Sequence, residues 1–179
     1  MVATAIRNKS QRVFDAIDED SNGVISADDF ERIAERLVQA FDESSPAAAK
    51  VHNTYSKCWQ RLAELADSDS DGQVTRQEFE KVFAGARQND FMRAIDEALE
   101  AEFALADTDG DGVLDRDEVS RMLHAYGVSQ PDLKQAVRGL DQDGDGRVSR
   151  EEYRSAMREY YLSDDADAPS TPIFGRIRG

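Results

Sequence analysis

One twelve-residue arrangement of oxygen-bearing side chains is written four times in this chain of 179 residues. Its cleanest copy runs Asp141, Gln142, Asp143, Gly144, Asp145, Gly146, Arg147, Val148, Ser149, Arg150, Glu151, Glu152. Carboxylates or hydroxyls stand at positions 1, 3, 5, 9 and 12, and glycine at position 6 lets the chain double back around whatever those oxygens enclose. This spacing builds a cage for a hard cation. A divalent ion such as Ca²⁺ takes about six to eight oxygen ligands. Asp141, Asp143, Asp145 and Ser149 supply several, the backbone carbonyl of Arg147 another, and Glu152 can close the cage with both of its oxygens.

The third copy places Asp107, Asp109, Asp111, Gly112, Val113 (through its carbonyl), Asp115 and Glu118 at the same positions, and the second places Asp67, Asp69, Asp71, Gly72, Gln73, Thr75 and Glu78. Both match the EF-hand calcium-loop pattern without a substitution, and three full matches in one chain leave little room for a merely solvated acidic turn. The first copy has Asp18, Asp20, Asn22, Gly23, Val24 and Ser26 in place but ends in Asp29, one methylene shorter than glutamate. A shorter arm reaches an ion more easily with one oxygen than with two, which favours the six-coordinate octahedron of Mg²⁺. The expectation is three strong Ca²⁺ sites and a first site that is weaker or mixed Ca²⁺/Mg²⁺.

Helices must present these loops. Position 8 is always aliphatic (Ile25, Val74, Leu114, Val148), as expected if loops pair through a short β ladder. Positions 9 to 12 read as capping boxes or near variants, so the last carboxylate of each loop can start the outgoing helix as well as bind metal. Apolar residues recur at helical spacing on both sides of every loop: Ile6, Val13, Phe14 and Ile17, then Phe30, Ile33, Leu37 and Phe41, around the first. Ser45 and Pro46 predict an N-cap and first helical position, followed by a stripe of Val51, Tyr55, Trp59, Leu62 and Leu65 along about twenty residues, or roughly 30 Å. Weakening is expected at Gly85, before a new stripe of Phe91, Ile95, Leu99 and Phe103.

The fold class that follows is all-α, with four EF-hands in two pairs, I–II over 1–85 and III–IV over 90–162, packed as one unit with short antiparallel ladders between paired loops. No Gly/Ser-rich linker separates the halves. Residues 163–179 form an acidic, proline-containing linker and an apolar end (Ile173, Phe174, Ile177), either a free terminus or a segment folded back on the core.

The formal net charge is −15 with a pI near 4.5, which disfavours nucleic acid and anionic membranes as partners. Much of that acidity has a fixed address at the coordinating positions. Like charges about 5 Å apart repel by roughly 0.8 kcal/mol even at water's dielectric, so metal should tighten the fold. Cys58 is the single cysteine, which excludes an intrachain disulfide and points to a reducing, cytoplasmic compartment. The stretch from Met1 to Arg7 lacks a signal core, no apolar run approaches spanning length, and Val2 excludes N-myristoylation.

Four loops, the long stretch between Asp29 and Asp67, the short joint between halves, and an ending with Tyr160-Tyr161, Ser163-Asp164-Asp165 and Phe174-Gly175 together resemble the sarcoplasmic calcium-binding proteins and their calerythrin-like bacterial relatives. The resemblance covers nearly the whole chain. It implies a compact protein with facing EF-hand pairs that buffers Ca²⁺ and Mg²⁺ in the cytosol. This chain departs from that family in retaining most ligands in every loop. Arginine outnumbers lysine, which fits the bacterial branch.

Three functions are open to such a chain: a calcium buffer or transporter, a sensor that exposes an apolar groove to a protein target, or a carrier of a small apolar ligand. Sensor grooves are rich in methionine, whereas Met92, Met122 and Met157 are dispersed here. For the carrier, His52, Tyr55 and Trp59 share a helix face that could line a cavity, although a core tryptophan with an exposed histidine fits the same spacing. No nucleophile motif accompanies His52 or His124, and Cys58 has no activating neighbour in sequence, so no enzyme is expected. A monomer is expected.

Overall fold

The amphipathic stripes on either side of each loop become the buried faces of paired helices. The structure, a computed structural model, describes residues 10, 11, 13–83 and 88–162. In chain order they form α1 (helical over 13–17), β1 (Val24–Ile25), α2 (Ala27–Gln39), α3 (Pro46–Ala66), β2 (Val74–Thr75) and α4 (Arg76–Phe83). The second half follows with α5 (Gln88–Ala106), β3 (Val113–Leu114), α6 (Arg116–Ala125), α7 (Leu133–Leu140), β4 (Val148–Ser149) and α8 (Arg150–Leu162). This is the expected all-α architecture. The expectations for Ile6, Gly85, the Phe91 side chain and the segment 163–179 fall outside the described residues.

Loops pair as the position 8 residues require. In the antiparallel ladder of β1 and β2, Ile25 faces Val74, and in that of β3 and β4, Leu114 faces Val148. All four side chains are buried. Each ladder therefore ties two cation cages back to back through one apolar plug.

Helix α3 begins as its sequence dictates, with the Ser45 hydroxyl accepting from the Ala48 amide at 3.1 Å and Pro46 at the first turn. The most extensive helix–helix contact joins α3 of the first half to α5 of the second. Val51, Tyr55, Cys58 and Leu62 line the inner face of α3, and Ile95, Ala98, Leu99 and Glu102 that of α5, all buried. Smaller aromatic contacts close each half: Phe14 meets Phe79 edge-on at 5.7 Å, and Phe103 meets Tyr153 at 6.0 Å.

Candidate metal centres and an internal cavity

Every loop shapes itself with its own ligand side chains. The position 3 aspartate accepts from the position 5 amide, as in Asp145 N to Asp143 Oδ1 at 3.0 Å, and the position 5 side chain accepts from the position 7 amide in all four loops. These Asx turns bend the chain before any ion is considered. At position 6, Gly23, Gly72, Gly112 and Gly146 take φ between +80° and +90°, where a Cβ would be strained.

The position 12 carboxylate spans the cage. Glu118 accepts from the Thr108 amide at 2.8 Å with one oxygen and from the Asp115 amide at 3.0 Å with the other. Glu78 and Glu152 make the equivalent pair of bonds. Asp29, despite its shorter arm, does the same with Glu19 and Ser26 at 3.0 and 2.8 Å. The backbone of the first loop thus closes far enough to meet an aspartate. The second bond in each loop is the capping contact that the sequence predicts for the outgoing helix.

Three carboxylates in each loop bring an oxygen within 4.8 Å of one another: Asp18, Asp20 and Asp29; Asp67, Asp69 and Asp71; Asp107, Asp109 and Glu118; Asp141, Asp143 and Glu152. Glu78, Asp111, Asp115 and Asp145 stand outside these sets. Asp115 instead caps α6 by accepting from the amides of Asp117 and Glu118. The donor sets fit a divalent ion that binds oxygen. In the second and third loops the Oδ1 atoms of Asp67 and Asp107 are buried with no hydrogen-bond partner, an arrangement that is costly unless a cation faces them.

The first aspartate behaves differently in the other two loops. Asp18 accepts from Asn22 and Gly23 with its two oxygens, both at 3.0 Å, and Asp141 accepts from Gly144 and Gly146 at 2.8 and 3.1 Å. The fourth loop, the cleanest in sequence, is therefore tied to its own backbone. Arginines also reach the cages: Arg32 pairs with Asp20 at 2.8 Å, Arg76 stands 3.8 Å from Asp18, and Arg147, expected only as a carbonyl ligand, sends its guanidinium across to Asp111 at 3.1 Å. Arg32 lowers the Asp20 carboxyl below its usual range, whereas burial raises that of Asp18. Hydrogen bonds, first that of the Ser68 hydroxyl, hold Glu78 down to about 2.

Away from the loops, a cavity of about 330 Å³ lies between the two halves. Phe30, Ile33, Tyr55, Cys58, Ile95, Ala98, Leu99, Glu102, Tyr126 and Tyr161 line it, and Asp15, Asp18, Glu19, Arg36 and Arg76 surround its loop 1 end. Tyr55 faces this space as its helix register suggested. His52 does not, being exposed, and Trp59 packs on Phe30 at 6.2 Å. Cys58 is buried, and burial pushes its thiol up to about 12.

Glu102 escaped the sequence reading. It is 3% exposed and accepts hydrogen bonds from Tyr55 at 2.6 Å on Oε1 and from Tyr126 and Tyr153 at 2.5 Å on Oε2. One carboxylate thus gathers α3, the end of α6 and α8 onto α5. Burial raises its pKa while the tyrosine bonds oppose the rise. The signal was its spacing: 95, 99 and 102 fall on one helix face, so a carboxylate stands where the stripe calls for an apolar residue.

Comparison with known proteins agrees with this geometry. The family described as an EF-hand domain pair matches residues 7–84 and 96–158. Calerythrin of Saccharopolyspora erythraea is 26% identical over 168 residues, covering 90% of this chain and 95% of that one. Sarcoplasmic calcium-binding protein 1 of Astacus leptodactylus is 30% identical, with 90% of each chain covered. Among solved structures, a Streptomyces coelicolor calcium-binding protein implicated in prokaryotic calcium-mediated regulation superposes with a TM-score of 0.75 at 33% identity, covering 87% of this chain and 97% of its own.

Proposed function

The chain belongs to the EF-hand domain pair family, and from that premise we propose that this calcium-binding protein is a buffer or transporter of Ca²⁺, and of Mg²⁺, in the cytoplasm. The side chains and position 7 carbonyls of the four loops hold the ions, with the first site weaker or mixed. A bound ion supplies the positive charge that each crowded carboxylate set lacks.

One observation carries the buffering role: the apolar faces of the two EF-hand pairs are already spent on each other along α3 and α5. A sensor must free such a face for its target. Met92, Met122 and Met157 are likewise all buried, so among the described residues no methionine-lined groove waits for a partner. The high negative charge supports a monomer that avoids nucleic acid and anionic membranes.

The test is a Ca²⁺ titration at fixed, millimolar-range Mg²⁺, following an apolar dye together with Trp59 fluorescence. Dye binding that falls or stays flat is expected. A rise would make the protein a sensor and send the search to its target. The 330 Å³ cavity favours a second reading, in which the protein also carries a small, largely apolar ligand.

A further inference from the structure

The cavity combines an aliphatic and aromatic wall with a wall of polar and charged groups. Ile33, Ile95, Ala98 and Leu99 offer an aliphatic surface, with Phe30 and Tyr55 beside them, enough for a flat hydrocarbon body. Glu102 opens into the same space. Its partners are three neutral hydroxyls, and no cation pairs with it among the described residues. Oε1 accepts only the Tyr55 bond, so one of its two acceptor positions remains open. The Tyr161 hydroxyl, which also lines the cavity, has no hydrogen-bond partner among the described residues.

At the other end every carboxylate has partners, Asp18 chiefly the Asn22 and Gly23 amides. Glu19 is paired with Arg36 at 2.7 Å, and Asp15 with Arg76 at 2.5 Å. Asp15 and Arg76 are about half exposed, with side chains 50% and 43% accessible, so the cavity opens to solvent there. A ligand entering by that route passes three carboxylates held by two arginines and by the amides of loop 1, and then meets Glu102, which no cation pairs among the described residues.

We propose that this cavity binds a small organic amine, its apolar body against Ile33, Ile95 and Leu99 and its protonated nitrogen donating to Glu102 and Tyr161. This deepens the carrier reading above and rests on it. A buried carboxylate without a cation is costly, and a protonated nitrogen is the group that relieves the cost while using the open acceptor positions. A ligand ending in a carboxylate would meet repulsion from Glu102. A neutral ligand would leave the charge unanswered. The upward push that burial gives the Glu102 carboxyl is in the same direction as this argument.

The experiment is calorimetric titration of the calcium-loaded full chain, at neutral pH and near-physiological salt, with naphthylmethylamine and with its neutral counterpart naphthylmethanol. The amine should bind at least about ten-fold more tightly than the alcohol, as a charge-assisted hydrogen bond in a desolvated site gives. Glu102→Gln should remove that preference. Tyr161→Phe, which breaks no bond within the described residues and so leaves the fold intact, should weaken the amine several-fold and the alcohol hardly at all. Equal binding of both probes, indifferent to Glu102→Gln, would overturn the amine assignment and leave a carrier of neutral molecules. Absence of binding by either probe would overturn both, whereas the calcium titration above stands or falls separately.

Discussion

Loops 2 and 3 differ from loops 1 and 4 in one atom's surroundings. In the former, Oδ1 of the first aspartate is buried and unpaired; in the latter the corresponding oxygen already accepts a backbone N–H. Each β ladder joins one loop of each kind, loop 1 to loop 2 and loop 3 to loop 4. A cation reaching loop 2 or 3 finds an acceptor with nothing to give up. In loop 1 or 4 it must share that oxygen with an N–H and so weakens a hydrogen bond with a net worth of about 1 kcal/mol. Loops with the same ligand pattern can thus differ in affinity, and loops 2 and 3 are expected to fill first.

Removal of metal tests the premise with the largest effect. An ion bound at a thousand times its Kd stabilises the native state by about 4 kcal/mol per site. Two such sites should raise the melting midpoint by about 15–30 °C over the chelated protein, at about 2–4 °C per kcal/mol for a chain of this size. An unchanged midpoint in scanning calorimetry would break the comparison at its root. Next in size are the ligand variants. Asp67→Asn and Asp107→Asn should each weaken one tight site by about two orders of magnitude, within the range over which ligand charge tunes such loops. Asp18→Asn and Asp141→Asn should leave the tight class of a calcium titration intact. If Asp141→Asn instead removes the tightest site, the unpaired oxygen does not set the order.

This asymmetry was not legible in the twelve-residue pattern. The pattern does specify the cages, the ladders through Ile25, Val74, Leu114 and Val148, and the cap at Ser45, because each depends on residues close in sequence or on a strict repeat. Whether Asn22 or Gly144 turns its amide onto the first aspartate depends on backbone angles that the ligand residues share. Arg147 on Asp111 crosses 36 residues, and the tyrosines on Glu102 come from 24, 47 and 51 residues away. Contacts of that range are fixed by how the two halves meet. They follow no local spacing.

Acidification sharpens the contrast between loops 1 and 2 in the metal-free protein. Glu78 has its carboxyl lowered from 4.5 to about 2, first by the Ser68 hydroxyl at 2.6 Å, so its ionised form stabilises the fold. That contribution is complete above pH 4.5 and disappears as pH falls towards 2. Asp18 has the opposite sign, because burial raises its carboxyl above 3.8 and the ionised form is disfavoured in the folded state. Its penalty is present at neutral pH and relieved on protonation. Urea unfolding in chelator should therefore find Glu78→Gln less stable than the parent at neutral pH, with the gap closing in acid. Asp18→Asn should be at least as stable as the parent at neutral pH and lose that advantage in acid. Parallel curves for the two variants would remove the distinction.

The smallest expected effect separates the two halves at position 4 of the loops. Ser21 and Ser70 hold φ of 57° and 61°, whereas Gly110 and Gly144, at the same position of loops 3 and 4, take similar angles with no side chain. A non-glycine residue in this region carries roughly 1 kcal/mol of strain, which serine offsets only in part. Ser70→Gly removes the strain but gives the unfolded chain more freedom to lose. The two effects oppose, so the gain should be below about 1 kcal/mol. Gly110→Ser is the reverse exchange: it adds strain at φ +74°, where a Cβ meets open space, and takes freedom from the unfolded chain. If strain outweighs chain entropy, it should cost about what Ser70→Gly gains. The pair of midpoints in urea, measured without metal, decides whether strain or chain entropy governs this turn; equal shifts of the same sign would mean that neither does.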